Sequence, residues 1–81
     1  MTLRVRLFAR ARDLAGADSI AVELPAGATV AELRARLGEA YPALRPLLAR
    51  SAVAVNEEYA GDDVVIPPAA EIALLPPVSG G

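Results

Sequence analysis

Ser19-Ile20-Ala21-Val22-Glu23-Leu24-Pro25-Ala26-Gly27-Ala28-Thr29-Val30-Ala31-Glu32-Leu33 is the stretch in which the chain changes its period. Ile20, Val22 and Leu24 alternate with Ser19, Ala21 and Glu23, the repeat of a half-buried strand. Pro25-Ala26-Gly27-Ala28 breaks it. Thr29 and Glu32 then stand three apart, a hydroxyl and a carboxylate placed to satisfy the free N–H groups of a helix start. Val30, Leu33, Leu37 and Tyr41 follow at helical spacing, with Ala40 flanking the stripe. Strand, turn and capped helix within about twenty residues predict an α+β domain.

Upstream, Leu3-Arg4-Val5-Arg6-Leu7-Phe8 alternates as well. Leu3, Val5 and Leu7 share one face, and Arg4, Arg6 and Phe8 the other, so Phe8 points away from the expected core. Residues 11–16 read as a short helical turn stopped by Gly16, and the two strands as a loose hairpin. On the helix, Glu32 and Arg36 are placed for an i,i+4 ion pair. Gly38 signals fraying or close packing, and Pro42 ends the helix.

Downstream, Ala43 to Arg50 carries Leu44, Leu47 and Leu48, a second short helical segment. Ala52-Val53-Ala54-Val55 is a strand, Asn56-Glu57-Glu58 a turn and Tyr59 a brief return. Gly61-Asp62-Asp63 turns again, a solvated turn rather than a metal site. Val64-Val65-Ile66 runs into Pro67-Pro68, which cannot sit inside a sheet. Glu71 to Leu75 is the last strand, with Ile72 and Leu74 on one side and Ala73 and Leu75 on the other. One main helix packed on one face of a sheet of four to five strands accounts for the order, with the last strand beside the first.

The 81-residue chain is 54% apolar, and among its side chains there is no Cys, no His, no Trp and no Lys. One domain fits that length. The missing residue types exclude disulfides, thiolate and imidazole catalysis, Schiff bases and a Walker A phosphate loop, and they argue against a zinc site. A formal net charge of −2 argues against nucleic acid as a partner. No apolar run is long enough to span a membrane, and no basic-then-apolar leader precedes Leu3, so a cytoplasmic location is expected. A self-contained enzyme is improbable on these grounds.

The end of the chain, Leu74-Leu75-Pro76-Pro77-Val78-Ser79-Gly80-Gly81, is its sharpest local feature. Two glycines at two specified positions arise by chance in about 0.5% of chains. Frayed termini are common, but Pro76-Pro77 stiffens the exit from the sheet. The six tail residues extend at most ~20 Å, and the final two have no β-carbon to clash in a narrow channel. Residues 1–75 therefore read as a domain and 76–81 as an extended tail that presents a main-chain carboxylate. A carboxylate is a poor electrophile, so a partner must activate it with ATP.

The sequence resembles the small, sulfur-carrying subunit of molybdopterin synthase, a ubiquitin-like β-grasp family. The residues that carry the resemblance are Val5-Arg6-Leu7-Phe8-Ala9, Arg12-Asp13-Leu14-Ala15-Gly16, Thr29 to Leu33, Val53 to Asn56 and Glu71 to Gly81; Pro76-Pro77-Val78-Ser79-Gly80-Gly81 is the most specific block. The resemblance implies a β-grasp fold and a Gly81 carboxylate that is adenylated by a partner resembling ubiquitin-activating enzymes, then converted to a thiocarboxylate by a sulfur donor protein. The tail, Pro76, Pro77, Val78, Ser79 and Gly80 included, is implied to enter the active site of a large catalytic subunit. There Gly81 donates sulfur to cyclic pyranopterin monophosphate, within a heterotetramer of two small and two large subunits. The chain itself is implied to bind no cofactor or metal and to supply no catalytic side chain.

The strand faces add a docking surface to this. If the first and last strands are neighbours, Phe8 and Leu75 form an exposed apolar patch at the tail root. Tyr59 joins them through its match to an apolar family position. Arg4, Arg6, Arg10 and Arg12 read as solvated charges, with acidic residues of a partner as the functional alternative. One departure stands out. The family turn before the last strand is commonly Gly-Asp-Glu followed by an apolar residue, and Ala69-Ala70-Glu71-Ile72 takes its place. Ala is strained at φ > 0, so a different turn geometry is expected. The competing functions are sulfur carriage for thiamin or tRNA thiolation, for which the segment Ala43 to Arg50 is an unexpected addition, and a protein modifier conjugated through Gly81.

Overall fold

Antiparallel pairing of Thr2–Leu7 (β1) with Ser19–Glu23 (β2) puts Leu3 opposite Val22 and Val5 opposite Ile20. The alternating residues of both strands thereby bury on one face. The computed structural model describes residues 1–77. Between these strands runs Ala9–Ala15 (α1), which begins two residues before the expected turn. The reading of Phe8 as a strand residue is corrected: β1 ends at Leu7, and Phe8 is the N-cap of α1. Its φ of −125° and ψ of 155° remain extended, so the β1 direction carries on through it. Ala9 then reverses the chain at φ 49°, and Ala11 buries. Gly16, at φ 71°, closes α1 in the left-handed region, and its N–H donates to the Arg12 carbonyl at 2.9 Å.

The long helix Val30–Ala40 (α2) starts at Thr29 with the expected capping box. The Glu32 N–H donates to Thr29 Oγ1 and the Thr29 N–H to Glu32 Oε1, both at 3.3 Å. Two further helix N–H groups find carbonyls in the loop that follows β4, Val30 to Val64 O at 3.0 Å and Ala31 to Asp62 O at 3.1 Å. The first turn therefore leaves no orphan donor. Glu32 turns back to the cap, and the expected Glu32–Arg36 ion pair does not form; among the described residues the ion pairs are Arg12–Asp18 and Arg34–Asp62. Val30, Leu33 and Leu37 are buried. Ala40 is exposed and Tyr41 only half-buried, because the chain leaves the helical path at Tyr41 ahead of Pro42. Gly38 marks close packing: a β-carbon there would lie 3.3 Å from Leu48 Cδ1 and 3.4 Å from Arg45 Cγ.

A 3-10 turn, Pro42–Leu44, leads into Arg45–Leu48 (α3), and Leu44, Leu47 and Leu48 are buried as the sequence predicts. The remaining strands are Ala52–Val55 (β3), Glu58–Tyr59 (β4) and Glu71–Leu75 (β5). The sheet order is β2-β1-β5-β3-β4, with β1 and β5 parallel and the other neighbours antiparallel. The last strand does lie beside the first. With α2 on one face, this mixed five-stranded sheet is a ubiquitin-like β-grasp. Its core joins Leu3, Val5 and Leu7 to Leu33, Leu37, Val53, Ile66, Ile72 and Leu74. Each such side chain contributes roughly 1.5–3 kcal/mol on full burial.

Two turns use the left-handed region without glycine. Asn56 and Glu57, at φ 49° and 69°, form the two-residue β3–β4 hairpin. Asn56 Oδ1 accepts the Glu71 N–H at 2.9 Å, and the Asn56 N–H donates to Glu71 O at 2.8 Å, which fastens this hairpin to the start of β5. Ala69 stands at φ 58°. The expectation of a different geometry in that turn is thus corrected: Ala69 adopts the positive φ despite its β-carbon, since Pro67-Pro68 before it and the β5 ladder after it constrain the chain. Ala69→Gly should raise stability. Relief of about 1 kcal/mol of backbone strain exceeds the added entropy of the unfolded chain. A gain of about 0.5 kcal/mol, or a few degrees in melting temperature, is the expected reading in thermal denaturation.

Candidate functional site

The site is assembled where β5 ends. Leu7 pairs with Leu74, so Phe8, one step on and still extended, stands beside Leu75. On the other side Leu75 pairs with Ala52. One row up, Arg6 pairs with Ala73, Ala73 with Ala54, and Ala54 with Tyr59. All these side chains belong to the sheet face opposite α2, because their neighbours Leu74, Val53 and Ile72 fill the core. Pro76 and Pro77 lead out of the same corner.

The outer surface is thus an apolar row, Phe8–Leu75–Ala52, continued by Ala73 and Ala54 towards Tyr59. Phe8 is 36% exposed and Tyr59 78%, while Leu75 and Pro76 are half-buried and Pro77 is exposed. The structure therefore brings Phe8 and Leu75 together as neighbours and places Tyr59 on the same face, two strands away. The alanines between them were not singled out in the sequence. Their signal was there, in Ala52 and Ala54 at alternate positions of β3 and Ala73 in β5, but its meaning depends on those strands lying side by side. Val78, Ser79, Gly80 and Gly81 lie outside the described residues.

Charge edges this surface. The guanidinium carbon of Arg6 lies 5.3 Å from the centroid of the Phe8 ring, a cation–π contact. Arg12 Nε is 3.9 Å from Asp18 Oδ1, with both side chains well exposed. Around them is a concavity of about 310 Å3 lined by Arg4, Arg6, Leu7, Phe8, Arg12, Asp18 and Ser19. A second concavity on this face, of about 440 Å3, is lined by Thr2, Arg4, Arg6, Ala69, Ala70 and Glu71, and on the helix side a groove of about 520 Å3 lies between β2 and α2. Its lining of Glu23, Glu32, Arg36 and Glu39 with apolar neighbours offers no thiol, imidazole or amine. The described residues of the face at the tail root offer none either.

Truncating the row should weaken docking. Phe8→Ala combined with Leu75→Ala removes two adjacent apolar anchors, and a loss of at least 2 kcal/mol, about thirtyfold in affinity for a protein that docks on this face, is expected by titration calorimetry. Tyr59→Ala, two strands from the tail root, should cost less.

Comparison with known proteins gives this arrangement its relatives. The ThiS family profile matches residues 5–81. A molybdopterin synthase sulfur carrier subunit of Arabidopsis thaliana is 35% identical over 98% of this chain and 82% of its own length. One of Dictyostelium discoideum is 40% identical over 96% of this chain and 94% of its own. Among solved structures, SAMP1 of Haloferax volcanii superposes with a TM-score of 0.87 at 31% identity, each chain covered completely. Subunit 1 of the molybdopterin-converting factor of Helicobacter pylori, solved as a complex with subunit 2, superposes with a TM-score of 0.72 at 28% identity, again with both chains fully covered. With a matching family profile over most of its length and such relatives across nearly all of it, the chain belongs to the ThiS family, among the molybdopterin synthase sulfur carrier subunits.

Proposed function

We propose that this protein carries sulfur for molybdopterin synthesis in the cytoplasm. The Gly81 carboxylate attacks the α-phosphate of ATP on an adenylating partner, releasing pyrophosphate and leaving an acyl-adenylate. Sulfide released at a donor protein attacks the acyl carbon, forming the C–S bond as the bond to AMP breaks, and leaves a thiocarboxylate. The tail then enters the large catalytic subunit, where sulfur passes to cyclic pyranopterin monophosphate and hydrolysis returns the carboxylate. The partners supply ATP binding and all catalytic side chains. The observation that carries this reading is the apolar row Phe8–Leu75–Ala52 at the root of a tail ending in Gly80-Gly81, on a chain with no Cys, His or Lys. The names of its relatives support it. Incubation with ATP, the activating enzyme and a sulfur source, followed by intact-mass measurement, should show oxygen replaced by sulfur at Gly81. Transfer to the pterin precursor on the large subunit should then return the original mass. No mass gain counts against carriage, and a gain without transfer points to another acceptor, such as a thiamin or tRNA precursor.

The likeness to SAMP1, a small archaeal modifier protein, favours a second reading in which Gly81 forms an isopeptide bond with other proteins. Denaturing electrophoresis of cell extracts distinguishes it, since adducts would persist under reducing conditions. Without lysine, the side chains of this protein cannot extend such adducts into chains.

A further inference from the structure

Arginine is the only basic side chain in this protein, and its copies on the two sides of the sheet differ in how they are held. On the helix side, Arg34 bonds Asp62 and the Leu48 and Ser51 carbonyls, and Arg45 Nε bonds the Gly38 carbonyl at 2.9 Å. These two are structural. On the outer sheet face, Arg6 has no hydrogen-bond or ion-pair partner among the described residues. Its strand neighbours there are Ser19 and Ala73, neither of them acidic, and Asp18 and Glu71, which line concavities with it, make no bond to it. Arg4, one position back on the same face, has Glu71 across from it, and Arg12 has Asp18. Arg6 is also the cation closest to the apolar row, with its guanidinium held over Phe8.

A partner that covers Phe8, Leu75 and Ala52 must therefore also cover Arg6. Removing an unpaired guanidinium from water costs several kcal/mol unless an acceptor replaces the lost water. An Arg fork held against an aromatic face is matched best by a planar carboxylate. We infer that Arg6 is the polar anchor of the docking surface, and that the large catalytic subunit presents an Asp or Glu side chain to it within an otherwise apolar contact. Arg12 and Arg4, each with an acid beside it, act as rim charges that steer approach. This inference rests on the reading of the chain as a carrier that docks on a large subunit.

The test is binding of the full chain to the large subunit, by calorimetry and by association and dissociation rates at several salt concentrations. Arg6→Gln should weaken binding about tenfold to hundredfold, chiefly through faster dissociation, and should flatten the salt dependence. Arg6→Glu should weaken it further, and Arg6→Lys should recover part of the loss. Arg36→Gln, a cation of the helix side, should bind like the wild type. Thermal melts of all variants should stay within a few degrees of the wild type, since Arg6 is exposed. Neutralising one carboxylate of the large subunit should abolish the difference between Arg6 and Arg6→Gln. The inference is overturned if Arg6→Gln and Arg6→Glu bind like the wild type with the same salt slope, or if Arg36→Gln weakens binding equally. It is also overturned if phosphate competes far better than chloride at matched ionic strength, which would make the face a small-anion site. Failure of the wild-type chain itself to bind the large subunit would instead remove the carrier reading.

Discussion

A chain ending at Ser79 is expected to fold as stably as the full protein and to acquire no sulfur. Among the described residues every fully buried core residue lies between Leu3 and Leu74, so removal of Gly80 and Gly81 is expected to leave that packing intact and the melting temperature unchanged. The truncated chain still ends in a carboxylate, but that group stops about 7 Å short of where Gly81 delivers it. Misplacement of a reacting group by even 1 Å can cost about a hundredfold in rate. Thiocarboxylate formation should therefore fall by at least a thousandfold, below detection in the intact-mass assay. Substituting Gly80→Val keeps the length and adds a branched side chain where a narrow channel admits none, so it should also fail while leaving the fold alone. Normal loading of the truncated chain would locate the acceptor group elsewhere.

Arg34→Ala should cause the largest loss of stability among the surface charges. Its guanidinium bonds three partners on three segments: Asp62 Oδ1 at 2.8 Å in the loop after β4, the Ser51 carbonyl at 2.8 Å before β3, and the Leu48 carbonyl at the end of α3. The side chain is only 21% exposed. Hydrogen bonds to a charged group contribute about 1.5–3 kcal/mol each where water is excluded. Partial exposure and relaxation of the freed carbonyls lower the sum, so the expected loss is about 3 kcal/mol. For a domain of this size that is a fall of roughly 15 °C in melting temperature. Arg34→Lys should recover little, since a single ammonium cannot span partners arranged for a fork. Urea unfolding of both variants checks this, and a loss under 1 kcal/mol for Arg34→Ala would mean that packing of Leu44, Leu47 and Leu48 alone holds the α2–α3 corner.

Arg34 shows why part of this protein was not legible beforehand. In the sequence it is one arginine on a helix whose other charges face solvent, and its partners lie 14 to 28 residues away. Glu32 shows the opposite. Its role at Thr29 depends on a three-residue spacing and could be read directly, and the same bond explains the missing Glu32–Arg36 pair. Phe8 falls between the two. Alternation placed it off the core correctly, but the end of β1 at Leu7 depends on where Ala9 turns the chain into α1.

The sequence by itself determined what local physics controls: the strand and helix periods, the capping box at Thr29, the stop at Pro42, the bends at Gly16 and Asn56, and the absence of any thiol, imidazole or amine side chain. The order of elements already pointed to the last strand beside the first, but only the tertiary structure decided the full strand order and its register. The pairing of β1 with β5 joins residues nearly seventy positions apart, and no spacing within either strand records it. That pairing sets Phe8 beside Leu75 and Ala73 beside Arg6, while the β3–β5 pairing lines Ala73 with Ala54. A face depends on what lies next to it across the sheet, and that is fixed when the core residues on the other side pack together.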